Sequence, residues 1–475
     1  MTYVTRRHFI AGLSATAAVS PFARKAFAAQ AVNEIRARTR VLDVNGKAAT
    51  VFGLESENGF IFDAQEDIRI NLTNRLSEPT LIHWHGQTPP SPQDGVPMLS
   101  QAMLKPGERH AYDFKPRPGT HWMHSHVGLQ EQGLLAAPMI FREPADVRAD
   151  MQDHVILLHD FTFRDPDEIL AELKAGGGAH AAHGGMSGDM SGMDHSKMAM
   201  PEASAMLNDV RFDAYLANDR TLDDPEILRA EPGGRLRLRI INGAGASNMW
   251  VDLGALEADL IAVDGNAIMP LRDKIFPLAI AQRVDLVIEL PRESGAWPVL
   301  FRPEGVAERT GIIIAAGDGN IAKIAGAGEM APAVDLAMEL RLQASKSLRP
   351  EPVTRTEMLM LTGGDANYAW GLNGKPSMAH ETLFGVRLGE RIAVMMHNMT
   401  QMSHPMHLHG HHFQVIDING QRIAGALRDT VLVPPNAAVT IAFDADNPGN
   451  WAFHCHHLYH MNAGMMGAVA YVNAA

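Results

Sequence analysis

The stretch FHCHHLYHMNAGMM, residues 453–466, holds the only cysteine of the chain, Cys455, between His454 and His456, with His460 and Met465 following at five-residue steps. Alternate residues of a β-strand point to opposite faces. Read as a strand, this segment turns two imidazoles to one side and a thiol to the other, so it serves two places at once.

Three more histidine pairs lie elsewhere: HWHG at 83–86, HSH at 124–126 and HLHG at 407–410. The order His-x-His-Gly then His-x-His occurs twice, about 40 to 50 residues apart, as expected for one unit used at both ends of the chain. The middle third lacks it. Around the pairs the sequence reads as strands: EDIRINLTN (66–74), RLRLRIINGA (235–244), RVDLVIEL (283–290) and RIAVMMHN (391–398) alternate or run apolar over strand lengths between Pro, Gly and Asn turns. The expectation is an all-β chain of three β-sandwich domains at residues 37–145, 146–320 and 335–475, with AGAGEMAPA (325–333) as the last linker. One helix is signalled, with Asp165 as cap, Pro166 at its first position, Glu168 completing a capping-box pattern and Gly176 ending it. The Gly- and Ser-rich residues 176–206 that follow read as a flexible insertion in the middle domain.

With 475 residues and 46% apolar composition, three cores can be filled. At the amino end Arg6-Arg7, a short apolar run and Ala26-Phe27-Ala28 follow the order of a twin-arginine export signal, expected to end at residue 28. That implies the twin-arginine machinery as a partner, a periplasmic location and no stable membrane anchor. Net charge is −13, and loss of Arg6, Arg7, Arg24 and Lys25 with the leader takes it to about −17. An acidic surface of this size disfavours nucleic acid as a partner. An exported chain with one cysteine forms no internal disulfide, so Cys455 is either inertly buried or holds a ligand such as a metal.

The pairs supply imidazoles from His83, His85, His124, His126, His407, His409, His454 and His456, half from each end of the chain, which places their site where the first and third domains meet. Imidazole suits copper, zinc, iron or nickel. Cys455 narrows the choice: with His460, Met465 and His404 it completes two imidazoles, a thiolate and a weak thioether, the blue-copper electron-transfer set. In the first domain Thr80 and Ser125 stand where His404 and Cys455 would, so one such centre is expected per chain.

HWHG, HWMHSH, HPMHLHGHHF and HCHHLYHMNAGMM match the four copper motifs of three-domain multicopper oxidases, which the chain resembles along nearly its whole length after the leader. The resemblance implies cupredoxin-like Greek-key sandwiches and four copper ions. His83 and His407 would hold a type 2 copper, while His85, His124, His126, His409, His454 and His456 would hold a type 3 pair. His404, Cys455, His460 and Met465 would hold a type 1 copper. It also implies one-electron oxidation of a substrate coupled to reduction of dioxygen to water. Asp94, in SPQDGVP, matches the family acid near the cluster and is expected to relay protons or orient bound water, or simply to start an Asp-Gly turn. Met461 stands where some bacterial relatives carry a second acid.

The substrate is less fixed. The insertion carries Met186, Met190, Met193, Met198, Met200 and Met206 with His180, His183 and His195, and thioethers favour Cu(I). MSGMDHSKM is similar to the repeats of copper-resistance oxidases. Met399 and Met402 precede His404 and are expected to lead Cu(I) or its electron to that histidine, taken to be exposed. Cu(I) oxidation is the favoured reading. A laccase-like oxidase of small phenols and a copper-sequestering protein are the alternatives.

Overall fold

A computed structural model describes residues 32–64, 67–176 and 207–472. The expected leader therefore lies outside the described residues, as do Met186, Met190, Met193, His195, Met198 and Met200 of the insertion.

Among the described residues six principal sheets form three sandwiches, of four and four, six and five, and seven and five strands. Each sandwich carries one parallel pairing in each sheet. In the first these join Asn33–Val44 to Ile68–Asn74 and Ile61–Asp63 to Ala136–Arg142. In the second they join Gln152–Phe161 to Arg235–Asn242 and Ile227–Ala230 to Thr310–Ala316. In the third they join Arg355–Gly363 to Arg391–Asn398 and Thr382–Val386 to Met466–Tyr471. Backbone topology thus repeats three times, where the histidine pattern repeats twice.

The strands read from apolar alternation are present at Ile68–Asn74, Arg235–Asn242, Arg283–Glu289 and Arg391–Asn398. The expected helix is Pro166–Lys174, capped by Asp165, whose side chain accepts from the Asp167 N–H, and it buries Ile169 and Leu173. Segment 325–333 is tied to the middle sandwich by bridges from Ala327 to Glu308 and from Ala331 to Glu304. Buried Glu304 also accepts from the Val334 N–H at 2.6 Å.

The third sandwich's core includes Val96 and Leu129 from the first and Ile169 and Ala246 from the middle, so apolar burial joins the units. Trp84, Trp122 and Trp451, all fully buried, stand near the histidine pairs. None of the described helices is long and apolar enough to cross a membrane.

Candidate metal centres

Strand register puts the histidines in place. In the third sandwich His407 faces His454 and Met406 faces Cys455; in the first His83 faces His124 and Ile82 faces Ser125. The repeated motif is therefore the same pair of strands built twice, and the two copies meet. His83 Nε2 lies 3.5 Å from His407 Nε2, His126 Nε2 3.4 Å from His454 Nε2, and His124 Nε2 3.4 Å from His456 Nε2. Within the third sandwich His409 Nε2 and His454 Nε2 are 2.9 Å apart. All eight rings are buried.

Hydrogen bonds behind the rings decide which nitrogen is bare. A carbonyl oxygen only accepts, so a nitrogen bonded to one carries the proton. His83 Nδ1 donates to Asp94 O at 2.9 Å, His407 Nδ1 to Asp429 O at 2.8 Å, and His454 Nδ1 to Cys455 O at 2.9 Å. His409 Nδ1 donates to the Asp94 carboxylate at 2.9 Å, and His124 Nδ1 to Glu131 at 2.7 Å. These rings turn unprotonated Nε2 lone pairs toward one another. His85 is reversed: its Nε2 bonds Asp429 Oδ1 at 3.0 Å, which leaves Nδ1 without a partner.

Lone pairs at such separations repel unless a cation lies among them. A proton is disfavoured, because burial and then neighbouring imidazoles hold His409 and His456 well below the ordinary histidine range, and burial pushes His454 down to about 3. A neutral imidazole set of this kind is able to hold metal ions, and its donors fit copper.

On the opposite face of the same strand Cys455 Sγ lies 3.6 Å from His404 Nδ1 and 3.9 Å from His460 Nδ1, with the two nitrogens 3.2 Å apart. Thr400 Oγ1 holds His404 Nε2 at 2.7 Å, and Asp209 holds His460 Nε2 at 3.2 Å. Buried Met465 is tied to the Cys455 strand and to the short helix Leu458–Asn462 that carries His460: its N–H bonds His460 O, and its carbonyl accepts from the Cys455 N–H. Burial pushes the Cys455 thiol up, so a thiolate here needs a cation beside it. His404 itself is fully buried, contrary to the sequence reading, because the Thr400 turn bonds it and Trp370 packs against it with ring centroids 5.2 Å apart. Met402 packs into the third sandwich's core, whereas Met399 is 55% exposed.

Several site residues gave no sequence signal. Asp429, from the third sandwich, binds His85 and accepts two bonds from middle-sandwich Arg283 at 2.6 and 2.7 Å. Burial would raise its pKa, but the Arg283 charge outweighs this and holds it well below the usual carboxylate range. Glu131, five residues past His126, stands behind His124 and lies 3.8 Å from His456 Nδ1. Asp209, from the middle sandwich, accepts from Tyr368 Oη and lies 3.2 Å from His457 Nε2. The His457 ring stacks on His460 at 3.7 Å, with Trp370 on the other face at 3.9 Å. The third histidine of HCHH, His457, was the only visible hint of this stack. His411 and His412 serve structure, bonding Tyr471 and Gly86 O.

A buried thiol–imidazole site sharing one strand with an eight-imidazole cluster defines a copper oxidoreductase. Models of the multicopper oxidase family match residues 44–146, 152–320 and 350–475. Multicopper oxidase MmcO of Mycobacterium tuberculosis is 31% identical over 421 residues, covering 86% of this chain and 80% of that protein. Copper resistance protein A of Escherichia coli is 27% identical, with 85% and 86% covered. Among solved structures, a multi-copper oxidase from Pseudomonas thermotolerans (24% identity, TM-score 0.69, 93% and 99% covered) and Fet3p (17%, 0.75, 93% and 90%) share the fold. The chain belongs to the multicopper oxidase family, a group of copper enzymes that reduce dioxygen, and it is similar to bacterial copper-resistance members of that family.

Proposed function

We propose that this enzyme oxidises Cu(I) to the less toxic Cu(II) and thereby serves copper tolerance. Four cuprous ions each give up one electron; dioxygen takes those four electrons and four protons and becomes two waters. Four resident coppers complete the proposed enzyme. His83 and His407 hold a type 2 ion, and His85, His124, His126, His409, His454 and His456 hold a type 3 pair. His404, Cys455, His460 and Met465 hold a type 1 ion. When bound, copper supplies the one-electron steps and the affinity for dioxygen that the side chains lack.

The chain supplies the rest. Peptide bonds from Cys455 to His454 and His456 join the two donor sets by a short covalent path. Asp94 holds His409 Nδ1 through Oδ2, while its Oδ1 has no hydrogen-bond partner and lies 3.2 Å from His83 Nδ1. That oxygen takes up and passes on the protons dioxygen needs. Packing around the cluster excludes bulk water and keeps the rings neutral, with their facing nitrogens bare.

The observation that carries the oxidase assignment is the set of mutually facing bare ring nitrogens on the far side of the Cys455 strand. Exposed Met399 ahead of His404, and relatives named for copper resistance, support the cuprous substrate. Oxygen uptake with Cu(I) and with a phenol, on the full chain and on one lacking residues 176–206, tests it. Loss of Cu(I) turnover with some phenol turnover kept supports a cuprous oxidase. Fast phenol turnover indifferent to the deletion makes the enzyme laccase-like, and copper binding without oxygen uptake makes it a sequestering protein. The proposed setting is the periplasm, reached through the twin-arginine route with the leader removed.

A further inference from the structure

The third sandwich presents a run of soft ligands to solvent. Arg355–Gly363 and Arg391–Asn398 pair in parallel, with Met358 opposite Met395 and Met360 opposite His397. Inward positions on these strands, Leu359, Leu361, Val394 and Met396, are buried in the core, so the alternating residues face outward and the register cannot slip without burying them. Met358 is 62% exposed, Met395 36% and Met399 55%, with Met360 and His397 half-buried. Short side chains flank the strip: Thr440 lies opposite Met395 and Ala438 opposite His397 on the next strand. Nothing in the packing of the described residues calls for thioethers on this face.

Their chemistry and spacing suit a soft monovalent ion. Adjacent strands run about 4.8 Å apart, and an unbranched methionine has three rotatable bonds with which to converge its sulfur on a shared point. Thioether with imidazole selects Cu(I) over harder ions, without the tight grip of thiolate. The strip also leads somewhere. Its strand runs through His397 and Asn398 into Met399 and Thr400, whose hydroxyl bonds His404 Nε2 at 2.7 Å. The loop that follows Arg355–Gly363 carries Tyr368, which bonds Asp209 beside His460.

We propose that Met358, Met360, Met395 and His397, with Met399 at the inner end, form a surface site that captures Cu(I) and hands it toward the His404 side of the Cys455 centre. The inference rests on the cuprous-oxidase reading for its purpose, though not for the binding itself. Ag(I), a redox-inert mimic, titrated into the copper-loaded full chain labelled with methyl-¹³C methionine, tests it directly, with signals assigned through Met358→Leu and Met395→Leu. Expected is a joint shift of the Met358 and Met395 methyls, with either leucine variant weakening the response of the remaining partner about tenfold or more. Stationary Met358 and Met395 signals while other methionines respond would overturn the site. Oxygen uptake with Cu(I) on a silver-free portion of the same protein separates the two claims. Silver binding without Cu(I) turnover leaves the strip standing and removes the cuprous-oxidase reading, whereas Cu(I) turnover with a silent strip does the reverse.

Discussion

Gly95→Ala should be far more damaging than its small size suggests, and Gly107→Ala provides a matched control. Both glycines sit in the left-handed region, at φ +84° and +83°, so an alanine pays the same backbone penalty at either place. That penalty is about 1–2 kcal/mol, partly offset by the lower entropy of the unfolded chain. Around Gly107 an added Cβ meets nothing within 4 Å, so a loss near 1 kcal/mol is expected there. At Gly95 it would lie 1.9 Å from the carbonyl oxygen of Ile82 and 2.5 Å from its carbon. Both are backbone atoms and cannot rotate away, so one segment must retreat by about 1 Å, adding about 2–3 kcal/mol. The segments in question carry His83 and Asp94, whose 2.9 Å bond sets the His83 ring. A displacement of that size at a reacting centre costs about 10²-fold in rate. Denaturant unfolding of the copper-free proteins, with copper content and oxygen uptake of the loaded ones, checks this. A Gly95→Ala protein within about 0.5 kcal/mol of Gly107→Ala, with full copper, would refute the reasoning.

Cys455→Ser should abolish intense blue absorption and steady turnover while the histidine cluster keeps at least part of its copper; a variant that stays deeply blue sinks the type 1 assignment. Glu131→Ala frees His124 Nδ1 from its 2.7 Å carboxylate and should weaken copper retention against a chelator by about 10- to 100-fold, so unchanged retention counts against an orienting role. In the copper-free protein, burial pushes His412, His454 and His460 down to about 3, against 6.5 when unfolded. Below pH 6.5 the unfolded chain binds protons that the folded chain refuses, so stability is complete above that pH and falls progressively toward pH 3. A melting temperature that stays flat or rises between pH 7 and pH 5 would contradict this.

Much of the site was legible because copper motifs are local. His83 and His85, or His454 and His456, share a face through the two-residue period of a strand, and no tertiary information is needed to see it. The strand boundaries of Arg391–Asn398 were equally readable, since its apolar run ends at an asparagine. Exposure was not readable: His404 looked accessible from its place before HLHG, yet a turn and Trp370 cover it. Met402 was likewise indistinguishable from Met399 in sequence, although one is core and the other surface.

By itself the sequence determined the donor types, their duplicated order and the two-sided use of the Cys455 strand, because covalent neighbours on an extended chain have fixed relative directions. Tertiary structure decided the distant partners that fix the orientation of His85 and His460. Asp429 reaches His85 across 344 positions of sequence, and Asp209 reaches His460 across 251. Such partners act through space, over distances a hydrogen bond can span only after three sandwiches have packed together.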